Sequence, residues 1–211
     1  MKKTKFVLLL LIFSQIIFSQ EKTKKDYFYD ENWKPISRLK FQNKIKNRNY
    51  KLIYKAVEND TAFIGKLILR ESFGFLDKRK KIRLINYLEK ITSSKIDSTD
   101  IIIINFYFED KGSRCKDCCV KHYTSDKKYI KSLKKNKGIK QFFIIEKDFL
   151  FKKNNVFNDV HALIQKLFFN YVFYCGNYVI IKPNGDFLRY YGEYSQDKIL
   201  KKTKSDWSKR K

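Results

Sequence analysis

The sequence lacks most of the motifs by which enzymes are recognised from sequence alone. It contains only two histidines in 211 residues, and it has no G-x-S-x-G, H-E-x-x-H, P-loop or G-x-G-x-x-G pattern. Its 22 acidic residues are scattered, mostly in turns, so no carboxylate pair of the kind that glycosidases use is indicated. It also has no internal repeat and no linker rich in Pro or Ser. These absences argue against common hydrolases and nucleotide-binding enzymes, and the length suits one domain with a sizeable core.

The composition is instead rich in aromatic residues and in lysine. Aromatic residues make up 17% of the chain, which predicts a folded core rather than disorder. The formal net charge of +25 raises affinity for nucleic acid, anionic lipid and acidic glycans. However, Lys, Ile, Asn, Phe and Tyr all have AT-rich codons and all are abundant here, so many of the lysines reflect genome composition. Because no RNP-like motif, zinc-finger spacing or basic heptad accompanies the charge, we expect no specific nucleic acid and only weak binding to anionic surfaces.

The first nineteen residues have the pattern of a secretory signal peptide. Lys2, Lys3 and Lys5 form a positive n-region, an apolar stretch of 13 residues follows at 6–18, and Ser19 offers a small residue at the cleavage point. An uncleaved membrane anchor is the alternative, but the stretch is short for a bilayer. No cysteine lies near the cleavage region, and no later segment is long and apolar enough to span a membrane. We therefore expect an exported, soluble protein in the periplasm or outside the cell.

Residues 20–98 predict two small hairpins and a helix. Segments 27–30 and 33–36 flank a turn-like Glu-Asn pair, and segments 50–57 and 61–69 flank Glu-Asn-Asp. Asp77 then precedes KRKKIRLINYLEKI, in which apolar residues recur on one helical face. The sequence therefore predicts a helix that begins after Asp77.

The stretch IIIINFYFEDKGSRCKDCC at 101–119 carries the most information. Its apolar run is short and rich in β-branched and aromatic residues, which predicts a strand buried on both faces. A polar loop with three of the four cysteines follows it. Cys115 and Cys118 form a C-x-x-C pair just after this strand, at the carboxyl end where α/β proteins often place redox chemistry.

The remaining chain alternates helices and strands. The pattern predicts a basic helix at 127–137, a short buried strand at 141–146, a helix starting at Asn158 or Asp159, a hairpin at 178–191 and a last helix at 195–204. In the helix after Asp159 we expect Val160 to point inward with the apolar residues at 163, 164, 167 and 168. His161 falls beside them, which favours a core or boundary histidine over a catalytic base.

Two segments resemble the thioredoxin-like superfamily. INFYF at 104–108 is similar to the strand before the active-site cysteines of periplasmic thiol-disulfide oxidoreductases, and YVIIKPNGDFLRYYGEYS at 178–195 is similar to their terminal hairpin. The exported start with its FSQ cleavage region also resembles secreted proteins of the Bacteroidetes. The resemblance implies an α+β/α/β fold: a thioredoxin-like mixed sheet flanked by helices at 99–204. A β-hairpin and helix extension at 20–98 would precede it, and a basic tail at 205–211 would follow.

The sequence also departs from that family. Arg114 stands where members carry an aromatic residue before the first cysteine, and the loop before it is long. The cis-proline that faces the dithiol is absent, and Cys175-Gly176 stands in that region. Asn105 stands where some thioredoxins have a buried acid, and a neutral amide cannot transfer a proton in its place.

The resemblance implies thiol-disulfide exchange with Cys115 as nucleophile and Cys118 as the resolving partner. Arg114, Lys116 and Lys121 would supply a cationic neighbourhood that favours the thiolate. Partners would then be protein thiols or disulfides, with no cofactor and no metal. Oligomeric state is not indicated.

A structural use of the same cysteines competes with this prediction, because exported chains usually pair an even number of cysteines. In a thioredoxin-like sheet, Cys175 would face the cysteine loop. The pairs would be Cys115–Cys118 with Cys119–Cys175, or Cys115–Cys175 with two thiols left over. A zinc site from Cys115 to His122 is a third possibility with crowded ligands. The alternative functions are a redox-inactive thioredoxin-like binding module with structural disulfides, and a basic surface-interaction protein.

Overall fold

The computed structural model describes residues 24–47 and 52–207. The predicted signal peptide, the start of the second hairpin at 50 and 51, and residues 208–211 of the predicted tail lie outside the described residues. The chain divides into two compact units between Ile68 and Leu69. The strands are β1 (Lys25–Tyr29), β2 (Leu52–Glu58), β3 (Ala62–Leu69), β4 (Glu71–Phe75), β5 (Ile101–Tyr107), β6 (Ile139–Ile145), β7 (Val156–Asn158), β8 (Asn177–Ile181) and β9 (Asp186–Tyr191). The helices are α1 (Arg38–Lys46), α2 (Lys78–Thr92), α3 (Cys118–Thr124), α4 (Lys127–Lys134), α5 (Leu163–Phe168) and α6 (Gln196–Lys204).

The smaller unit holds a three-stranded sheet in the order β1-β3-β2. The second predicted hairpin is present as β2 and β3, and its turn is closed by a 3.0 Å bond from the Asn59 N–H to the Ala62 carbonyl. The first predicted hairpin is present only in a reduced form. The chain turns back at Trp33, whose φ is 63°, and an antiparallel bridge joins Tyr29 to Pro35 between bonds from the Asp30 N–H to the Lys34 carbonyl (2.9 Å) and from the Ile36 N–H to the Phe28 carbonyl (2.8 Å). Residues 33–36 do not extend into a strand, and β1 pairs in parallel with β3.

The larger unit is built on a six-stranded sheet in the order β4-β9-β8-β5-β6-β7. β5 is central, parallel to β6 and antiparallel to β8. Ile102, Ile103, Ile104 and Phe106 on β5 are fully buried, so the prediction of a strand buried on both faces is confirmed. The fold is therefore mixed α/β, a six-stranded mixed sheet with helices plus a separate three-stranded sheet.

Helix α2 begins where its capping residue predicts. The Asp77 carboxylate accepts a 2.8 Å bond from the Lys80 N–H, which satisfies one of the free amides of the first turn. Leu84 and Leu88 are fully buried on its inner face, and the helix ends at Ser93 in a left-handed conformation. Predicted elements at 127–137, 141–146, 178–191 and 195–204 correspond to α4, β6, the β8–β9 hairpin and α6.

The helix predicted from Asn158 or Asp159 is wrong in its first half. Residues 156–158 form β7, parallel to β6, and α5 begins only at Leu163. The buried Asp159 carboxylate accepts bonds from the Leu163 and Gln165 N–H groups, so it caps the helix from outside it. Val160 is 44% exposed rather than inward. His161 precedes the helix and is exposed, so it does not occupy the core or boundary position that the periodicity predicted.

The first residues of the predicted tail pack onto the larger unit. Trp207 is 2% exposed, its ring centre lies 6.0 Å from that of Phe73, and the Lys182 ammonium lies 4.2 Å from the same indole. Across the described ranges, none of the helices has both the length and the apolar character needed to cross a bilayer.

Candidate functional site at the cysteine loop

The cysteine loop connects the end of the central strand to α3. It begins beside β6, because the Glu109 N–H donates to the carboxylate of Glu146 just after that strand. Within the loop, Asp110 accepts bonds from the N–H groups of Gly112 and Ser113, both at 3.2 Å. These bonds fold residues 110–113 into a turn just before Cys115.

All four cysteines are paired in two disulfides. Cys115 bonds to Cys118, and Cys119 bonds to Cys175, with a Cα–Cα distance of 5.4 Å in each pair. This is the first of the two pairings that the sequence left open. Cys118 and Cys119 are neighbours in sequence but belong to different bridges. The second bridge ties the first turn of α3 to the segment just before β8.

The two bridges leave no sulfur for a metal among the described residues, where no free cysteine is found. In the same ranges, no group of three or more His, Cys, Asp or Glu side chains is placed to hold a metal ion. His122, which the zinc alternative would need, lies on α3 with its ring 5.3 Å from the ring of Tyr123.

The charges around Cys115 and Cys118 differ from the predicted cationic neighbourhood. Lys121 forms a 2.8 Å ion pair with Asp117, and Lys116 lies 3.9 Å from Glu109. Asp117 also places Oδ1 3.6 Å from the Cys115 sulfur. Two of the three predicted cations therefore face carboxylates, and the Asp117 carboxylate lies close to the Cys115 sulfur.

The two cysteines of the pair also differ in access to solvent. Cys118 is exposed, whereas Cys115 is half-buried. Because attack on a disulfide or by a thiolate needs an open approach to sulfur, Cys118 is the more accessible of the two to another protein.

A buried polar network occupies the strand beneath the loop. Asn105 on β5 is fully buried, donates a 2.6 Å bond to the Tyr194 hydroxyl and accepts a 2.8 Å bond from the Gln141 amide. The Tyr107 hydroxyl lies 3.0 Å from the same Tyr194 hydroxyl. Burial raises the pKa of both Tyr107 and Tyr194 well above the usual tyrosine value, so both phenols stay neutral. The network satisfies Asn105 and offers no buried acid for proton transfer.

Tyr123 on α3 connects this network to the helix that carries the cysteines. Its ring stacks on that of Tyr194 at 4.4 Å, and its hydroxyl donates to the Tyr194 carbonyl while accepting from the Tyr194 N–H. The Gln196 side chain donates to the Tyr123 carbonyl at 3.0 Å. The position of α3 therefore depends on residues more than 70 positions later, and local sequence patterns do not show such a contact.

Comparisons with known proteins identify no relative of this chain. No protein-family model, no curated protein and no solved structure matches it.

Proposed function

We propose that this protein is an exported thiol-disulfide oxidoreductase that exchanges electrons with other proteins through the Cys115–Cys118 pair. The main support for this proposal is the difference in length between the loops that the two disulfides close. Cys115 and Cys118 bond across three positions where the loop enters α3, whereas Cys119 and Cys175 join segments 56 positions apart. The Cys119–Cys175 bridge cross-links distant parts of the chain, and we call it the staple, whereas the Cys115–Cys118 bridge closes only a short loop.

The two loops also differ in how much their closure stabilises the folded state. A bridge that closes so short a loop as Cys115–Cys118 stabilises the folded state by about 2 kcal/mol in the chain-entropy model. The long Cys119–Cys175 loop yields about 4 kcal/mol in the same model. Opening the short bridge therefore costs less folding free energy than opening the long one. A dithiol that cycles between its reduced and oxidised forms has to open without unfolding the protein.

The sheet order favours a thioredoxin-like core at 99–204. Central β5 is followed by the cysteine loop, α3, the parallel strand β6, the antiparallel β8–β9 hairpin and α6, in the succession that the resemblance implies. Two further strands extend the sheet: β7 next to β6 at one edge, and β4 next to β9 at the other. The proposal places the dithiol at the carboxyl end of the central strand.

Two disulfides in one chain also agree with an oxidising compartment, because cytosolic thiols are kept reduced. Together with the signal-peptide pattern at 1–19, this supports a location in the periplasm or outside the cell.

The side chains around the pair favour Cys118 as the attacking sulfur, rather than Cys115 as the sequence alone predicts. Cys118 is open to solvent, and the Asp117 carboxylate beside Cys115 repels negative charge on that sulfur. The same carboxylate is within reach of a Cys115 thiol proton, so Asp117 is suited to accept that proton when Cys115 acts second.

In the reducing direction, the Cys118 thiolate attacks one sulfur of a substrate disulfide. A mixed disulfide forms, and the first substrate sulfur leaves as a thiolate that takes a proton from water. Cys115 then passes its proton to Asp117 and attacks the Cys118 sulfur. The second substrate sulfur leaves as a thiolate and takes the proton from Asp117, the Cys115–Cys118 disulfide is restored, and two electrons have moved to the substrate. A dithiol protein reverses these steps to reduce the pair again.

The test begins with a glutathione redox titration of the native protein, read by mass spectrometry of the cysteine peptides. Exchange activity predicts that Cys115–Cys118 opens at a potential above about −270 mV while Cys119–Cys175 stays closed. If the reduction potentials of both bridges lie below about −300 mV, Cys115–Cys118 is a structural disulfide and the proposal is wrong.

Single-cysteine variants then separate the two roles. We expect Cys115→Ser, which leaves Cys118, to form a mixed disulfide with oxidised glutathione about tenfold faster than Cys118→Ser. Both variants keep Cys119–Cys175, so they are matched in fold. If Cys118→Ser reacts faster, Cys115 is the attacking sulfur. The proposal of thiol-disulfide exchange would still hold in that case.

A redox-inactive thioredoxin-like binding module is the second candidate. The ion pairs of Lys116 and Lys121 and the carboxylate next to Cys115 favour it, because all three work against a thiolate at Cys115. This candidate predicts that neither single-cysteine variant reacts faster than a model thiol and that Cys115–Cys118 resists reduction as strongly as Cys119–Cys175.

A further inference from the structure

The smaller unit contains a cavity between α1 and one face of its sheet. The cavity has a volume of about 370 Å³, within the range of small-molecule sites. It is lined by Phe28 on β1, Phe63 on β3, Tyr54 on β2 and the side of α1 that carries Phe41 and Ile45. All of these residues belong to the smaller unit.

The cavity follows from the sequence of α1. In RLKFQNKIK only Phe41 and Ile45 turn apolar side chains to the sheet, while Leu39 is 69% exposed. Two inward residues cannot cover a sheet face that carries three aromatic rings. The rings meet each other at 4.9 Å between Phe28 and Phe41 and at 5.9 Å between Phe28 and Phe63. Phe41 also meets Tyr54 at 5.9 Å, so the four rings form one continuous aromatic cluster along the cavity.

Two ion pairs frame the opening. Arg38 lies 3.4 Å from Asp26, and Lys24 lies 2.8 Å from Glu58. All four side chains are well exposed, between 38% and 69%, so each pair is weak and easily exchanges partners. The opening is thus balanced in charge, although the chain as a whole carries +25. The opening therefore gives no net electrostatic attraction to a strongly anionic or strongly cationic ligand.

We propose that this cavity binds a free aromatic amino acid. An aromatic ring fits against Phe28, Phe63 and Tyr54 by stacking and edge contacts. A zwitterion matches the frame, because its carboxylate pairs with the Arg38 guanidinium and its ammonium with the Asp26 carboxylate, replacing the longer of the two ion pairs. Neither charge of the ligand is then left unpaired.

The experiment is isothermal titration calorimetry of the oxidised full chain with four matched probes. These are L-phenylalanine, 3-phenylpropanoate without the ammonium, 2-phenylethylamine without the carboxylate, and L-alanine without the ring. We expect L-phenylalanine to bind about threefold to fivefold more tightly than the two probes that lack one charge, since an ion pair with an exposed side chain corresponds to about that factor. L-Alanine has no ring to place against the aromatic side chains and should not bind measurably. No binding of L-phenylalanine at millimolar concentration, or equal affinity for all three ring compounds, would overturn the proposal.

Two rim variants supply a crossed control. Arg38→Gln should weaken L-phenylalanine about threefold to fivefold and leave 2-phenylethylamine unchanged, whereas Asp26→Asn should weaken L-phenylalanine similarly and leave 3-phenylpropanoate unchanged. Leu39→Ala on the same helix lies outside the cavity and should change nothing. If Leu39→Ala weakens binding as much as the rim variants do, the site is elsewhere. No cysteine takes part, so these results are independent of the exchange proposal.

Discussion

The Tyr87 hydroxyl donates a 2.7 Å hydrogen bond to the buried carboxylate of Asp159. Tyr87 lies on α2 and Asp159 lies just after β7, 72 positions later, so this bond joins two elements across the larger unit. The same carboxylate accepts the N–H groups of Leu163 and Gln165 at the start of α5, and the Tyr87 hydroxyl accepts the N–H of His161. A single buried acid therefore organises the turn that leads into α5.

We expect Tyr87→Phe to lower the free energy of unfolding by about 1–2 kcal/mol, because it leaves the His161 N–H and one carboxylate lone pair without their partner. Asp159→Ala removes three bonds at once and should cost about 3 kcal/mol or more. Urea denaturation measures both. Tyr27→Phe, at a residue 44% exposed, is the matched control and should change stability by less than about 0.5 kcal/mol. Equal effects of the two Tyr→Phe changes would show that the Tyr87 bond is unimportant.

Gly185 and Gly138 give a second matched pair. Both have positive φ, at 93° and 83°, so an alanine is strained at either position. A Cβ at Gly185 would lie 2.4 Å from the Leu76 carbonyl oxygen, whereas one at Gly138 would meet nothing within 4 Å. We expect Gly138→Ala to cost about 1 kcal/mol. Gly185→Ala should cost at least twice as much, because a backbone oxygen cannot move aside alone. Thermal unfolding of the two variants tests this, and similar melting temperatures would contradict it.

Buried tyrosines make the fold sensitive to alkali. Burial raises the pKa of Tyr107, Tyr129 and Tyr194 above the ordinary value of 10.0. The folded state thus holds these protons more tightly than the unfolded state, so the stabilisation is complete below pH 10 and is lost as the pH rises above it. We expect their absorbance change at 295 nm to coincide with unfolding in the same alkaline range. Normal titration of all fourteen tyrosines near pH 10 in a folded protein would refute this.

The two disulfides should differ in their contribution to stability. Replacing Cys119 and Cys175 together with Ser should lower the free energy of unfolding by about 4 kcal/mol, and replacing Cys115 and Cys118 together should lower it by about 2 kcal/mol. Guanidinium denaturation of the two double variants gives the comparison. If loss of the short bridge is the more damaging, the assignment of Cys119–Cys175 as the staple is wrong.

Elements with strong local patterns could be predicted from the sequence. The run at 101–107 is continuously apolar and β-branched, and it forms the central strand. Asp77 caps α2, because the short side chain of an aspartate just before an amphipathic segment can accept a bond from a free N–H of the first helical turn. The Pro-Asn-Gly-Asp turn between β8 and β9 was equally clear, since few residues tolerate its backbone.

Elements that depend on distant partners were missed. β4 contains Gly74 and reads as a weak strand, but it forms because Phe187 of β9 lies directly across from that glycine. β7 is three residues long and exists only beside β6. The polar contacts of Asn105 come from Tyr194 and Gln141, which are 89 and 36 positions away.

The sequence shows a C-x-x-C pair after an apolar run and, at residues 1–19, the pattern on which the expectation of export rests. The pairing of the sulfurs, the exposure of each cysteine and the charges beside them are properties of the folded chain. Disulfide pairing depends on which Cβ atoms come within bonding distance, and the partner of Cys119 is 56 positions away. The charges around the loop depend in the same way on how Asp117, Lys121 and Glu109 are brought together by folding.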